Sequence, residues 1–297
     1  MSHALSDSAS YPANLPALPT WPARIGIIAG QGALPRALIR AAHDANSIPF
    51  VIAFQGITPV DTVVGVEHVW VRLGEVSKIL KALRRFQAPD IVLCGAIPRP
   101  NLWSLWPDWQ GLRLLLSVRG VNLGDDTLLR AVKDMLSSHG FTVRGIQNFL
   151  PDLLTPPGNL GKVMPSNADW VDIRYGAKVA RTLGRLDIGQ AVIVEGGNVL
   201  SVEAAEGTDA LISRTTVLKR QAQGGVLVKL AKPQQERAID LPTIGPQTVR
   251  QAISLKLSGI AVEAGHSLCV APEEVVQMAD QAGLFIYGLS DHEIPAI

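Results

Sequence analysis

The stretch Gly225–Gly245, GVLVKLAKPQQERAIDLPTIG, gathers ionisable residues behind an apolar run. Lys229 and Lys232 follow Val226-Leu227-Val228, which reads as a short buried strand bounded by glycine and proline. Asp240 stands between Ile239 and Leu241, with Pro242 fixing the turn behind it. An acid between two branched apolar residues is expected against a packed wall with only its head group free. Two cations and one fixed carboxylate around a strand end suit a phosphorylated ligand and a divalent cation. On residue types alone a solvated surface loop is the favoured reading.

A second stretch, Gly189–Arg214, reads as a strand at Ala191–Val194, a Gly196-Gly197-Asn198 hairpin turn and a return strand at Val199–Ala204. Glu203, Glu206 and Asp209 then put three acids within seven residues of the strand exit, more than helix capping requires. Thr208 or Asp209 can cap the helix that begins near Ala210, whose amino end is an anion site. Arg214 and Lys219 are expected on the same helix.

Other candidates carry simpler alternatives. Arg99, between prolines after the strand Asp90–Gly95, lies where parallel sheets bind ligands, and a surface arginine in a rigid turn accounts for it equally well. Asp125 and Asp126 precede a helical periodicity; a cap explains at least one, and the pair also offers oxygen ligands. Trp103, Trp106 and Trp109, half of the six tryptophans, suit an acyl-chain groove or a membrane surface, with core or interface packing favoured. The six histidines are scattered, and no G-x-S-x-G, Walker loop or C-x-x-C occurs, so nucleophilic serine or cysteine chemistry and histidine-rich metal hydrolysis lack support.

These residues must be positioned by an α/β scaffold. Arg24–Ala29 is a strand entering the turn Gly30-Gln31-Gly32, followed by a helix from about Pro35 to Ala45 and a strand at Pro49–Phe54. Two glycines of a dinucleotide fingerprint are present, but Pro35 replaces the third and no acid follows to hold a ribose, so a nicotinamide-dependent reductase is disfavoured. Further helices are expected at Val76–Phe86, Trp170–Leu183, Pro246–Leu257 and Pro272–Ala282. Strands are expected at Phe141–Gly145, Ile260–Glu263, His266–Val270 and Leu284–Leu289. Thr155-Pro156-Pro157-Gly158 marks a boundary, with Lys162 just beyond it, giving a disordered lead-in over 1–22, a Rossmann-like parallel-sheet domain over 23–155 and a mixed α/β domain over 156–297.

The 297 residues are 47% hydrophobic, with net charge +1, so nucleic acid is not an expected partner. Cys94 and Cys269 lie in apolar runs and read as buried thiols in a reducing compartment. The lead-in lacks the basic start and apolar core of a signal peptide, and a cytoplasmic location is expected.

IAGQGALP (28–35), GDDTLLR (124–130), LGKV (160–163), GRLDIGQ (184–190), EGTDALI (206–212) and KPQQERAIDLPTIG (232–245) occur in that order. Together they resemble the UDP-2,3-diacylglucosamine pyrophosphatases of lipid A synthesis, the form unrelated to the metallophosphoesterase isozyme. The resemblance covers the chain from about residue 24 onward. It implies two α/β domains with the substrate between them. It also implies Mg²⁺-dependent hydrolysis to UMP and 2,3-diacylglucosamine 1-phosphate in the cytoplasm of a Gram-negative bacterium, with room for peripheral inner-membrane contact and a homodimer.

By that resemblance the essential aspartate is Asp240, and Thr208, Asp209, Gly32 and Gln190 fall on family motif positions. Ala96 stands where a polar residue is expected. The expected catalytic set is Asp240, Asp209, Lys229 and Lys232. The expected substrate contacts are Gly32, Arg99, Gln190, Thr208, Asp209, Ile239 and Leu241, and the expected metal ligands are Asp240 and Glu206. A nucleotide-sugar-binding regulator without catalysis is the alternative.

Overall fold

The computed structural model describes residues 19–97, 107–117, 125–233 and 239–296. Arg99, Trp103, Trp106 and most of the 1–22 lead-in lie outside them. The chain is an α/β protein built on one parallel and one mixed sheet.

The first half runs β1 (Arg24–Ala29), α1 (Leu34–Asp44), β2 (Ile48–Phe54), β3 (Glu67–Val71), α2 (Val76–Phe86), β4 (Asp90–Cys94), α3 (Trp109–Ser117), α4 (Asp125–Ser138) and β5 (Thr142–Arg144). The strands pair in the order β3-β2-β1-β4-β5, all parallel. β1 and β2 are apolar on both faces because helices cover both sides of a parallel sheet. α2 presents Val76, Ile79, Leu80, Leu83 and Phe86 as one buried stripe, and Gln87, in the left-handed region at φ 59°, ends it. β3 is the strand of this half that sequence reasoning missed. Its sequence, EHVWV, has exposed Glu67 and His68 and only Val71 fully buried, so it lacks the alternation that marks a strand.

The second half runs β6 (Gly158–Asn159), α5 (Asn167–Arg185), β7 (Ala191–Glu195), β8 (Asn198–Val202), α6 (Thr208–Thr215), β9 (Val226–Lys229), β10 (Thr243–Ile244), α7 (Pro246–Ser254), β11 (Gly259–Glu263), β12 (Leu268–Cys269), α8 (Pro272–Ala282) and β13 (Phe285–Leu289). The main sheet has the order β6-β13-β11-β9-β7-β8, with β9, β11 and β13 parallel and the remaining pairings antiparallel. α5 starts earlier than Trp170 because Ser166 and Asp169 form a capping box. Gly196 and Gly197, at φ 58° and 76°, turn the β7–β8 hairpin, and both backbone N–H groups donate to Asp172.

Two expectations are corrected here. The strand expected at His266–Val270 is only Leu268–Cys269, paired with β10 in a separate small sheet. Lys219 is not on α6, which stops at Thr215.

The halves are stitched together. Leu154 bridges Leu268, Thr155 N donates to Ser267 O at 2.9 Å, and Gly265 N donates to Thr155 O at 2.9 Å. Leu241 and Leu268 pack into the same apolar cluster as Ile25 and Leu38 of the first half. Both cysteines are free and buried, and burial pushes the thiols up to about 12 for Cys94 and about 11 for Cys269. No helix among the described residues is long and apolar enough to cross a membrane.

Candidate functional site

A cavity of about 880 Å³ opens between the carboxyl end of the parallel sheet and the second half. Its shape begins with two glycines. A Cβ on Gly30 would stand 2.5 Å from Ala96 O, and one on Gly95 would stand 2.5 Å from Gln31 O. Their absence lets the β1 and β4 loops close on each other, with Gln31 N donating to Ala96 O at 2.8 Å and Ala96 N to Gln31 O at 3.1 Å. Ala96 thus contributes its backbone to this bridge. Gly32, at φ 95°, has only open space where a Cβ would be, and it borders the cavity.

The opposite wall supplies the charge. Gln190, Asp209, Lys229 and Asp240 all line the cavity, together with Ile239 and Leu241. Leu241 is buried in the shared apolar cluster, and Leu268 N donates to Pro242 O at 2.8 Å, so the segment after Asp240 is fixed on both sides. The amino end of α7, Gly245 to Thr248, also borders the space and turns its positive dipole toward it. Gln190 Oε1 is buried with no hydrogen-bond partner among the described residues, an acceptor open to a ligand donor. The far end of the cavity is apolar, walled by Ile79, Leu114, Leu128, Val132 and Met135 from α2, α3 and α4.

Lys229 is the last residue of β9 and only 7% exposed. Its Nζ donates to Thr208 Oγ1 at 3.0 Å and to the Thr243 carbonyl at 3.1 Å. Thr208 Oγ1 in turn donates to Glu203 Oε1 at 2.6 Å, and Gln190 N donates to Glu203 Oε2 at 3.0 Å. Sequence reasoning expected Thr208 or Asp209 to cap α6. Gly207 occupies the cap position with no side-chain cap bond, and the Thr208 hydroxyl is committed to the Glu203–Lys229 chain.

The other expected residues are placed elsewhere. Lys232 Nζ pairs with Asp187 at 2.6 Å and does not line the cavity. Glu206 pairs with Arg214 at 2.8 Å, also away from the cavity. A hydrogen bond from its own backbone N–H, and then Arg214, hold its carboxyl below the ordinary range. Trp109 is 70% exposed, in neither core nor cavity. Thr243 and Arg250 were missed as site residues, and Glu203 was noted among the acids at its strand exit but given no role. Thr243 and Arg250 line the cavity directly, and the signal for Thr243 was its place in the IDLPTIG turn.

Glu263, His266 and Asp291 bring donor atoms within 4.8 Å of one another outside the cavity. Arg181 stands 3.6 Å from Glu263 there, so the buried carboxylate already faces a cation.

Family models for the LpxI N-terminal domain and the LpxI C-terminal domain match residues 24–153 and 156–287. The UDP-2,3-diacylglucosamine pyrophosphatase LpxI of Caulobacter vibrioides is 40% identical over 281 residues, covering 92% of this chain and 99% of that one. The chain belongs to the LpxI family.

Solved structures overlap far more loosely. The Bordetella bronchiseptica enzyme WbmG in complex with NAD and UDP is 12% identical, covers 92% of this chain and 84% of that one, and has a TM-score of 0.35. N5-carboxyaminoimidazole synthetase from Staphylococcus aureus complexed with ADP is 16% identical, covers 67% and 44%, and has a TM-score of 0.22. Likenesses at these scores say nothing about ligand. Within the LpxI frame, Thr155 falls between the two matched domains, where its backbone joins the loop after β11.

Proposed function

We propose that this LpxI-family protein hydrolyses the pyrophosphate of UDP-2,3-diacylglucosamine to UMP and 2,3-diacylglucosamine 1-phosphate, in the cytoplasm and with Mg²⁺. The observation that carries this reading is one cavity with an acid-and-lysine end and an apolar end. A diphosphate flanked by a nucleoside and acyl chains needs both.

Cleavage adds water across a P–O–P bond, so it calls for charge neutralisation and a placed water more than a protein nucleophile. Lys229 meets the charge on the phosphates, supported by the amino end of α7. Asp240 would hold the metal or orient the attacking water, assisted by Asp209, which also lines the cavity. Gly32 admits the ligand to the first loop, and the α2–α4 side shelters the acyl chains.

The donors fit a hard cation: among the described residues the anionic groups on the cavity wall are carboxylates and no histidine lines it, and the Cys94 thiol stays protonated. When bound, Mg²⁺ would be held by Asp240 and Asp209 and would neutralise phosphate charge. The test is incubation of purified protein with UDP-2,3-diacylglucosamine and Mg²⁺, with and without chelator, following UMP. Chelator-sensitive release is expected, and Asp240→Ala is expected to abolish it while leaving the melting temperature unchanged. Substrate binding without UMP would instead favour a nucleotide-sugar-binding regulator.

A further inference from the structure

We propose that Glu203 is a positioning residue for this reaction, acting through Thr208 to hold the Lys229 ammonium toward the cavity; the inference rests on the hydrolysis reading above. Glu203 follows β8, is 5% exposed and does not line the cavity, so it does not meet the substrate itself. Its two oxygens take different donors. Oε1 accepts from the Thr208 hydroxyl at 2.6 Å, and Oε2 accepts from Gln190 N at 3.0 Å.

The consequence for Thr208 follows from its inventory of one proton and two lone pairs. With the proton given to Glu203, a lone pair faces Lys229 Nζ at 3.0 Å. Thr243 O takes a second ammonium proton at 3.1 Å. Two of three N–H groups are therefore spent on fixed acceptors, and the third is left for the cavity that Lys229 lines. A lysine side chain is long and flexible, and this chain of bonds removes that freedom before the ligand arrives. The same carboxylate anchors the backbone of Gln190, another cavity residue.

An amide at position 203 cannot reproduce this. It accepts through one oxygen only, so its NH₂ must face either the Gln190 N–H or the Thr208 hydroxyl. In the second case the threonine proton turns toward the ammonium, donor against donor.

The experiment measures steady-state UMP release for wild type, E203Q, T208V, T208S, K229M and the E203Q/K229M double variant, with circular dichroism to check folding. E203Q and T208V are expected to lower kcat by at least about ten-fold with KM nearly unchanged, since fixed charge matters most as phosphate charge develops. T208S is expected to keep near-wild-type kcat, and the double variant to be no slower than K229M alone. Should E203Q fail to fold, the contrast between T208V and T208S decides. Wild-type kcat in E203Q or T208V, or losses that multiply with K229M, would overturn the inference alone. No UMP from the wild type would overturn the hydrolysis reading and this inference together.

Discussion

The Glu263 carboxylate accepts the backbone N–H of Ala231 at 2.9 Å, across 32 positions of sequence. The bond ties the end of β11 to the chain leaving β9, on the way to Asp240. The other Glu263 oxygen stands 3.6 Å from the Arg181 guanidinium and 3.4 Å from His266 Nδ1. Glu263 is 2% exposed, so removing the carboxylate leaves a buried N–H without its acceptor and a cation without its partner. Glu263→Ala is expected to cost about 3–5 kcal/mol. Urea denaturation checks it, and an unchanged midpoint would contradict it.

A second buried pair gives a pH dependence. Burial resists ionisation of Glu195, but Lys219 and the backbone N–H groups of Arg220 and Gln221 outweigh it, holding the carboxyl below its ordinary value of 4.5. The folded state therefore binds this proton less readily than the unfolded chain. Its contribution to stability is complete above about pH 4.5 and is lost as pH falls through the folded value. Lys219→Met is expected to lower stability by about 3 kcal/mol at neutral pH. The gap to wild type is expected to narrow on acidification, read from melting temperatures between neutrality and pH 3. A constant gap would rule out Glu195 as the titrating group.

The ladders of this fold were legible where local pattern decides them. The stripe of α2 and the Pro272–Ala282 span of α8 are written in single periodicities, and Val226–Val228 is a run buried on both faces. Asp240 lines the cavity, yet its neighbours alone left a solvated surface loop as the favoured reading, and it was the motif resemblance around Ile239-Asp240-Leu241 that singled it out. Partner choice was not legible. Lys229 and Lys232 are three positions apart with the same charge, yet one ends a strand in the cavity and the other folds back onto Asp187, 45 positions away. That difference arises from alternation along the strand and the course of the chain after it, neither of which residue type encodes. Thr208 was likewise read as a cap because Thr precedes an apolar run. The left-handed Gly207, at φ 82°, takes that place instead and leaves the hydroxyl for Glu203 and Lys229.

The acids of the Glu206-Gly207-Thr208-Asp209 segment offer the sharpest contrast. Sequence reasoning expected Asp240 and Glu206 as the metal ligands and Asp209 among the catalytic and substrate-contacting residues. Glu206 instead meets Arg214 at 2.8 Å on a partly exposed face, an arrangement worth under about 1 kcal/mol. Asp209 lines the cavity in the first turn of α6, on the wall that carries Asp240. Asp209→Asn keeps the shape and removes one negative charge from the site, whereas Glu206→Gln removes a charge already neutralised elsewhere. Asp209→Asn is therefore expected to lower UMP release by at least about ten-fold and to raise the Mg²⁺ concentration needed for half-maximal rate. Glu206→Gln is expected to stay within about two-fold of wild type at every Mg²⁺ concentration, because an exposed pair contributes little. Magnesium titrations of the two variants side by side check both statements. The reverse order, with Glu206→Gln slow and Asp209→Asn normal, would return the metal to Glu206 and require its carboxylate to leave Arg214 for the cavity in solution.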